Sequence, residues 1–306
     1  MRARVLTQTR TLTNEEREVW QRKGITGRDI AAICGADRWR TSLEVYLEKI
    51  GQSPPGRVTE PMRIGREIKS FIAQRFAEQT GFRTHRRNMI YQHVEHDFLL
   101  ATMDRWVVGD DAGLLCRSVG EYRKQEWQDG RIPQETQLQC QHLMAVTDTG
   151  HWWVAALIGG NKLHIVRVER SEAQIERLVK DASQFWTRHV NDHVQPEVDG
   201  SDAARELLGR MYGPDSAAAN RIVLPDEAGV WVKQYRTACE EERITLRKKT
   251  EAENYLKALL GANESGVIGS DRVEWRTVQH KNGARQYRRF AVYKEQQVTC
   301  DAKQGG

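Results

Sequence analysis

The chain predicts an α+β fold, a central mixed sheet flanked by helices, followed by a C-terminal helix and β-hairpin. Three observations predict it. Helical periodicity runs through most of the chain up to Gly81, strand-like apolar runs follow to about 122 and again from 151 to 169, and one helical stretch at 133–150 separates the two strand groups.

The elements follow in order. Residues 13–24 form a helix that Thr13 caps, with Glu16 three positions on completing a capping box and Gly24 as terminator. GITGRDIAAICG is a glycine-punctuated turn into a short helix ended by Gly35. TSLEVYLEKIG (41–51) places apolar residues at 43, 46, 47 and 50, the spacing of one buried helical face. After the loop GQSPPGRVTEP, residues 62–81 read as one long amphipathic helix with Ile64, Ile68, Phe71, Ile72 and Phe76 inward. From 88 to 122 the period becomes that of strands, interrupted by the turn GDDAG. Pro133 opens a helix that Gly150 closes. HWWVAALIGG and KLHIVRVER pair as a hairpin around GGN, and Ser171 caps the helix after it. Trp152 and Trp153 are consecutive on a strand and face opposite ways, so one is expected to be exposed and free to pack on a partner.

One domain is expected over 1–195. Prolines, glycines and an alanine run make 196–225 a weakly ordered linker. Residues 226–306 then form a long helix and a β-hairpin through KNG. Trp231, Tyr235, Ala238, Thr245, Ala252, Leu256 and Leu259 follow a spacing of about 3.5 residues, with Glu242 and Lys249 breaking the stripe. That stripe can pair as a coiled coil or dock on the domain, and docking is the preferred reading. No internal repeat is visible.

Composition bounds the function class. With 39% hydrophobic and 29% charged residues the chain has the makings of a globular core. No apolar run approaches the roughly 18–20 residues of a membrane span, and the basic N-terminus lacks the apolar stretch of a secretory signal. A cytoplasmic protein without a membrane partner is expected. The five cysteines are scattered and form no CxxC pair, which argues against a zinc knuckle or a disulfide framework. His85, His93, His96 and His142 show no ligand spacing. Net charge is only +5, but basic residues cluster in RTHRRN (83–88) and RQYRRFAVYK (285–294). Phosphate binding and a solvated surface balanced by 42 acidic residues both fit these clusters.

Several segments in order carry a resemblance. They are GITGRDIAAICGADRW, IGREIK, ATMDRWV, GLLCRSVGEY, PQETQLQCQHLMAVT and WWVAALIGGNKLHIVRVER. Together, over 20–190, they resemble the YqaJ/lambda-exonuclease-like branch of the PD-(D/E)XK nucleases. The first resembles a G-x-S-D motif and the second a helix that supplies a glutamate four residues after a glycine. The third resembles a strand ending in a metal-binding aspartate, the fourth a strand carrying Glu-x-Lys, and the fifth a Q-x-Q helix. The resemblance implies a restriction-endonuclease-like core and a site where carboxylates hold Mg²⁺. That ion polarises the scissile phosphate and lowers the pKa of the attacking water, while the lysine orients the water or stabilises charge.

Only part of that set is present. Asp104 occupies the strand-aspartate position, but Lys69 stands at the helix glutamate, Leu115 at the Glu of Glu-x-Lys and Arg117 at its Lys. Arg28 replaces the serine of G-x-S-D, Thr136 replaces an aromatic residue, and Gln139 and Gln141 are kept. Glu67 could stand in for the helix glutamate, but it lies about 200° from Lys69 around a helix. Three carboxylates and a lysine carry two net negative charges; Lys69, Asp104, Leu115 and Arg117 carry one positive. Such a site holds Mg²⁺ poorly and attracts phosphate directly, with Arg117 able to grip it bidentately.

The resulting expectation is a catalytically inactive nuclease-fold protein of phage or prophage type. It would need no cofactor and would use Arg28, Lys69, Arg117, Gln139 and Gln141 to bind DNA, at duplex ends. Gln139 and Gln141 fit a structural role equally well, and Asp104 is either a relic or a residual metal ligand. The partner could instead be a host or phage DNA-processing or defence protein. An active Mg²⁺-dependent 5′–3′ exonuclease of phage recombination, using Asp104 with unconventional ligands, is the alternative. Relatives work with single-strand annealing proteins and form ring-shaped trimers, so a homo-oligomer stays open.

Overall fold

A computed structural model describes residues 2–56, 59–214, 221–279 and 286–294. The chain divides into two units, Met1–Ala218 and Ala219–Gly306.

The first unit opens with a strand that the sequence reading passes over, β1 (Arg4–Gln8). Helix α1 (Asn14–Arg22) has the expected cap, the Thr13 hydroxyl accepting from the Glu16 N–H and the Glu16 carboxylate accepting from the Thr13 N–H. Short α2 (Ile30–Ile33) and α3 (Ser42–Lys49) follow, the latter capped by Thr41. The predicted helix over 62–81 is two helices, α4 (Glu60–Glu67) and α5 (Lys69–Thr80), separated at Ile68. Only α5 buries residues, namely Ile72, Ala73 and Phe76; Ile64 and Phe71, expected inward, are about half exposed. The first two turns therefore do not rest on the sheet, and the apolar stripe overstates the packed length.

The strands β2 (Thr84–His85), β3 (Met89–Gln92), β4 (Leu100–Ala101), β5 (Arg105–Val107) and β6 (Ala112–Val119) come next. Helix α6 (Gln134–Thr147) follows, then the hairpin β7 (His151–Ile158) and β8 (Lys162–Glu169) and helix α7 (Glu172–Phe185) capped by Ser171. Helix α6 ends at Asp148, which takes the left-handed conformation (φ 53°, ψ 51°), and not at Gly150. An aspartate tolerates that region better than most residues, so the glycine two positions on is not needed as terminator.

Five strands form the main sheet in the order β2-β5-β6-β7-β8, antiparallel except for the parallel β6–β7 pair, which makes it mixed. Strands β1, β3 and β4 form a separate small sheet. Alternation along β6 explains why both faces of the main sheet need covers. Leu115 and Val119 belong to the larger core shared with α6, whereas Leu114 and Cys116 belong to a second core under Ile72 and Phe76 of α5. The two tryptophans divide the same way. Trp152 is fully buried in the larger core, and Trp153 packs edge-on against Phe76 and tilted against Phe82, its indole N–H donating to Asp110. Neither is left free for a partner, because helices lie on both sides.

The stretch expected as a linker is partly a packed helix, α8 (Asp202–Met211). Ser201 caps it, Ala203, Ala204 and Leu207 are buried, and Arg210 pairs with Glu44 of α3. Small residues that read as linker composition instead permit close packing.

The second unit holds α9 (Ala228–Leu260) and a three-stranded antiparallel sheet of β9 (Ser265–Ile268), β10 (Asp271–Gln279) and β11 (Gln286–Lys294). The hairpin is as predicted, β9 is an addition, and the KNG turn lies outside the described residues. Trp231, Tyr235 and Leu259 of the α9 stripe are exposed.

Gly113 lies on β6 directly beside Trp152 of β7, and a Cβ there would sit 2.0 Å from the indole ring. Gly113→Ala is therefore expected to destabilise the protein by about 1–3 kcal/mol through overpacking. A thermal midpoint equal to wild type would show that the ring can move aside.

Candidate functional site

Asp104 sits one residue before β5, where the backbone pairing of β5 with β6 has stopped at Arg105↔Leu114. Its carboxylate continues the pairing by other means: Oδ2 accepts the Cys116 N–H at 3.0 Å. Oδ1 accepts from the Lys69 ammonium at 2.5 Å. Lys69 is the first residue of α5, so the break at Ile68 comes directly before the residue that pairs with the aspartate.

Arg117 stands two residues beyond Leu115 on β6, on the face turned to α6, where its guanidinium donates to the side-chain carbonyl of Gln139. Its other N–H groups have no protein acceptor among the described residues. Gln139 in turn lies against Gly27, where a Cβ would come within 3.1 Å of its side chain. A Cβ at Gly27 would press on the Gln139 side chain, so glycine favours that close approach. The G-x-S-D segment, the Q-x-Q helix and the Glu-x-Lys strand thus touch in sequence as Gly27, Gln139 and Arg117.

Among the predicted residues Lys69 pairs directly with Asp104, and Arg117 with Gln139. Both pairs are close to Cys116: burial chiefly pushes its thiol up to about 12, Asp104 adds to that, and Lys69, Arg105 and Arg117 oppose it. Leu115 is 2% exposed and belongs to the larger core, so it contributes packing and no group to the site. Gln141 takes a structural place: it is 1% exposed, with its amide donating to the Glu169 carbonyl at 2.8 Å and accepting the Ser171 N–H at 3.0 Å. It ties α6 to the start of α7, and both ends of its amide are used there. Gln139 and Gln141 stand two apart on a helix, so they face different ways. Arg28 is exposed beside Gly27.

Sequence reasoning missed the neighbouring buried charge. Asp29, the Asp of G-x-S-D, is 3% exposed, with Lys49 at 2.6 Å, Arg40 at 2.6 Å and the Thr26 N–H and hydroxyl at 2.8 and 2.9 Å. Burial alone would raise its pKa, but Lys49 and Arg40 outweigh it and hold the carboxyl well below the ordinary range. The available signal was Lys49 itself, a lysine within the buried part of an amphipathic helix.

Residues 18–150 match the YqaJ-like viral recombinase domain. Over 287 residues the chain is 32% identical to the uncharacterized protein YqaJ of Bacillus subtilis (strain 168), covering 90% of this chain and 88% of that one. The chain belongs to the YqaJ family. The fold of this YqaJ-family member is shared with an alkaline exonuclease, LHK-Exo of Laribacter hongkongensis. The likeness has a TM-score of 0.50 at 16% identity, spanning 58% of this chain and 94% of that one. The complex of LHK-Exo with dAMP gives 0.51 at 18% identity, spanning 59% and 94%. The restriction-endonuclease-like fold with its central mixed sheet is thereby established for this chain.

The Mg²⁺ that the nuclease resemblance implies does not fit the donor set of this family member. Such an ion takes oxygen ligands. Here one carboxylate is present, an ammonium holds one of its oxygens and a backbone N–H the other, and a buried leucine stands at the next ligand position. Among the described residues no group of three His, Cys, Asp or Glu side chains comes together as metal ligands.

Asp29 yields a prediction. Lys49→Met leaves a buried carboxylate with Arg40 as its one remaining cation, and is expected to cost about 3 kcal/mol. A carboxyl with a depressed native pKa contributes stability that is complete above its unfolded pKa of about 4 and is lost as pH falls below it. Acid unfolding of wild type should thus be steeper below pH 4 than that of Lys49→Met, and parallel curves would contradict the assignment.

Proposed function

We propose that this YqaJ-family protein binds DNA through its nuclease-fold site and does not cut it. The observation that carries this reading is the state of Asp104, both of whose oxygens are engaged, one by Lys69 at 2.5 Å and one by Cys116 at 3.0 Å. An aspartate ion-paired in this way has part of its acceptor capacity committed, and a lysine at the place of a second carboxylate repels a divalent cation. What remains chemically available is positive charge with unused donors.

Arg117 supplies the clearest donor. Gln139 fixes the guanidinium on one side and its remaining N–H groups can meet phosphate oxygens, a geometry that arginine serves bidentately. Exposed Arg28 directly follows Gly27, which packs against Gln139, and Lys69 adds a cation at Asp104. LHK-Exo, which shares the fold, has been crystallised with dAMP, a ligand with a single phosphate. By this reading duplex ends are held by fixed cations, and no proton transfer or water activation is required of the site.

The test combines cleavage and binding on one preparation. Linear duplex DNA should persist with Mg²⁺ or Mn²⁺, and binding should be indifferent to EDTA and fall steeply with salt. Arg117→Ala should weaken binding by about tenfold and flatten the salt slope by about one unit. Metal-dependent cutting that disappears in Asp104→Ala would contradict the proposal and restore the 5′–3′ exonuclease reading. If the wild type does not bind DNA at all, an acidic surface of a host or phage DNA-processing protein becomes the ligand, and pull-down from host lysate tests it.

A further inference from the structure

A second cluster of cations lies on the α5 side of the sheet. Arg86 and Arg105 both donate to one acceptor, the hydroxyl of Ser70, at 2.7 and 3.1 Å. Ser70 directly follows Lys69 in α5, Arg105 directly follows Asp104 and opens β5, and Arg86 directly follows β2. The pairing of β2 with β5 runs Thr84↔Val107 and His85↔Trp106, so the next step sets Arg86 opposite Arg105.

That arrangement is costly as it stands. Like charges directly opposed on antiparallel strands repel, and a neutral hydroxyl does not offset them. Burial first, and then the charge of Arg86, hold the Arg105 pKa below its ordinary value, with Asp104 opposing more weakly. The oxygens of Asp104 are already taken by Lys69 and the Cys116 N–H. Among the described residues neither guanidinium has a carboxylate within ion-pair distance. The contrast with Arg40, Arg123, Arg170 and Arg210 is plain, since each of those is held by one or more carboxylates. Two arginines gathered on a shared hydroxyl with no acid between them leave room for an anion to relieve both.

We propose that Ser70, Arg86 and Arg105 form a second phosphate site for a DNA strand, distinct from Arg117 and Gln139 on the opposite face of the sheet. The class of ligand follows from the donors. Two guanidiniums and a hydroxyl match the tetrahedral oxygens of a phosphate, and the Lys69–Asp104 pair next to them adds no net charge against it. As a DNA site this rests on the function proposed above, and the test keeps the two separable.

The experiment uses the full chain as wild type, Arg86→Gln, Arg105→Gln and the double variant. Thermal unfolding in inorganic phosphate is compared with chloride at equal ionic strength, and duplex DNA binding is followed across a salt series. Phosphate should raise the wild-type midpoint above chloride, and the double variant should lose that gain. Each single variant should bind DNA about tenfold more weakly with a salt slope flatter by about one unit. In low-salt chloride the variants should melt no lower than wild type, because a repulsion has been removed. A clear loss of stability there would mark the arginines as structural and overturn the proposal. Variants that match wild type in both phosphate and DNA would overturn it too. A phosphate effect that depends on both arginines, in a protein that binds no DNA, would remove DNA as the ligand while leaving the anion site in place.

Discussion

The ion pair of Lys69 with Asp104 holds together the elements that meet at the candidate site. Where the β5–β6 backbone ladder stops, the Asp104 carboxylate supplies the missing acceptor for the Cys116 N–H. The same carboxylate draws the first residue of α5 to the sheet, and α5 then lays Ile72 and Phe76 over Leu114 and Cys116. One partly buried carboxylate thus joins a strand end, a helix start and the second core. Without the lysine, Asp104 would keep one N–H against the cost of its burial, so the cation at position 69 is a structural need.

The larger core sets the other half of the site by a different means. Asp29 is held by Lys49 and Arg40 beneath the turn that presents Gly27, and the glycine allows Gln139 to lie close against it. Gln139 then orients Arg117. Buried charge, close backbone approach and a side-chain hydrogen bond therefore act in series, and exposed Arg28 rides on the same turn. Leu115, between the two halves on β6, is packed into apolar surroundings and offers the site only a wall.

Local signals made much of this legible. The capping box at Thr13, the hairpin around GGN and the apolar period of α3 follow from short-range rules, and each element forms as those rules dictate. The order of motifs placed Asp104 beside the β6 strand. Tertiary context decided the remainder. Whether an apolar stripe is covered depends on what lies across from it, which is why Ile64 and Phe71 stay half exposed and why Trp153 is covered after all. The pairing of Gln139 with Arg117, and the absorption of Gln141 by Glu169 and Ser171, turn on helix rotation that residue identity does not carry. Asp29, Lys49 and Arg40 come from separate segments, as do Ser70, Arg86 and Arg105, and no spacing in one segment announces such a meeting.

We propose that Lys69 occupies Asp104 in place of a divalent ion. Mn²⁺ binding to the full chain, read by electron paramagnetic resonance of the free ion, tests it without reference to DNA or activity. Wild type and Asp104→Ala are predicted to leave the same free Mn²⁺ signal across the titration. Saturable binding in wild type that is lost in Asp104→Ala would contradict the account, because Lys69 would then have given up the carboxylate to a metal.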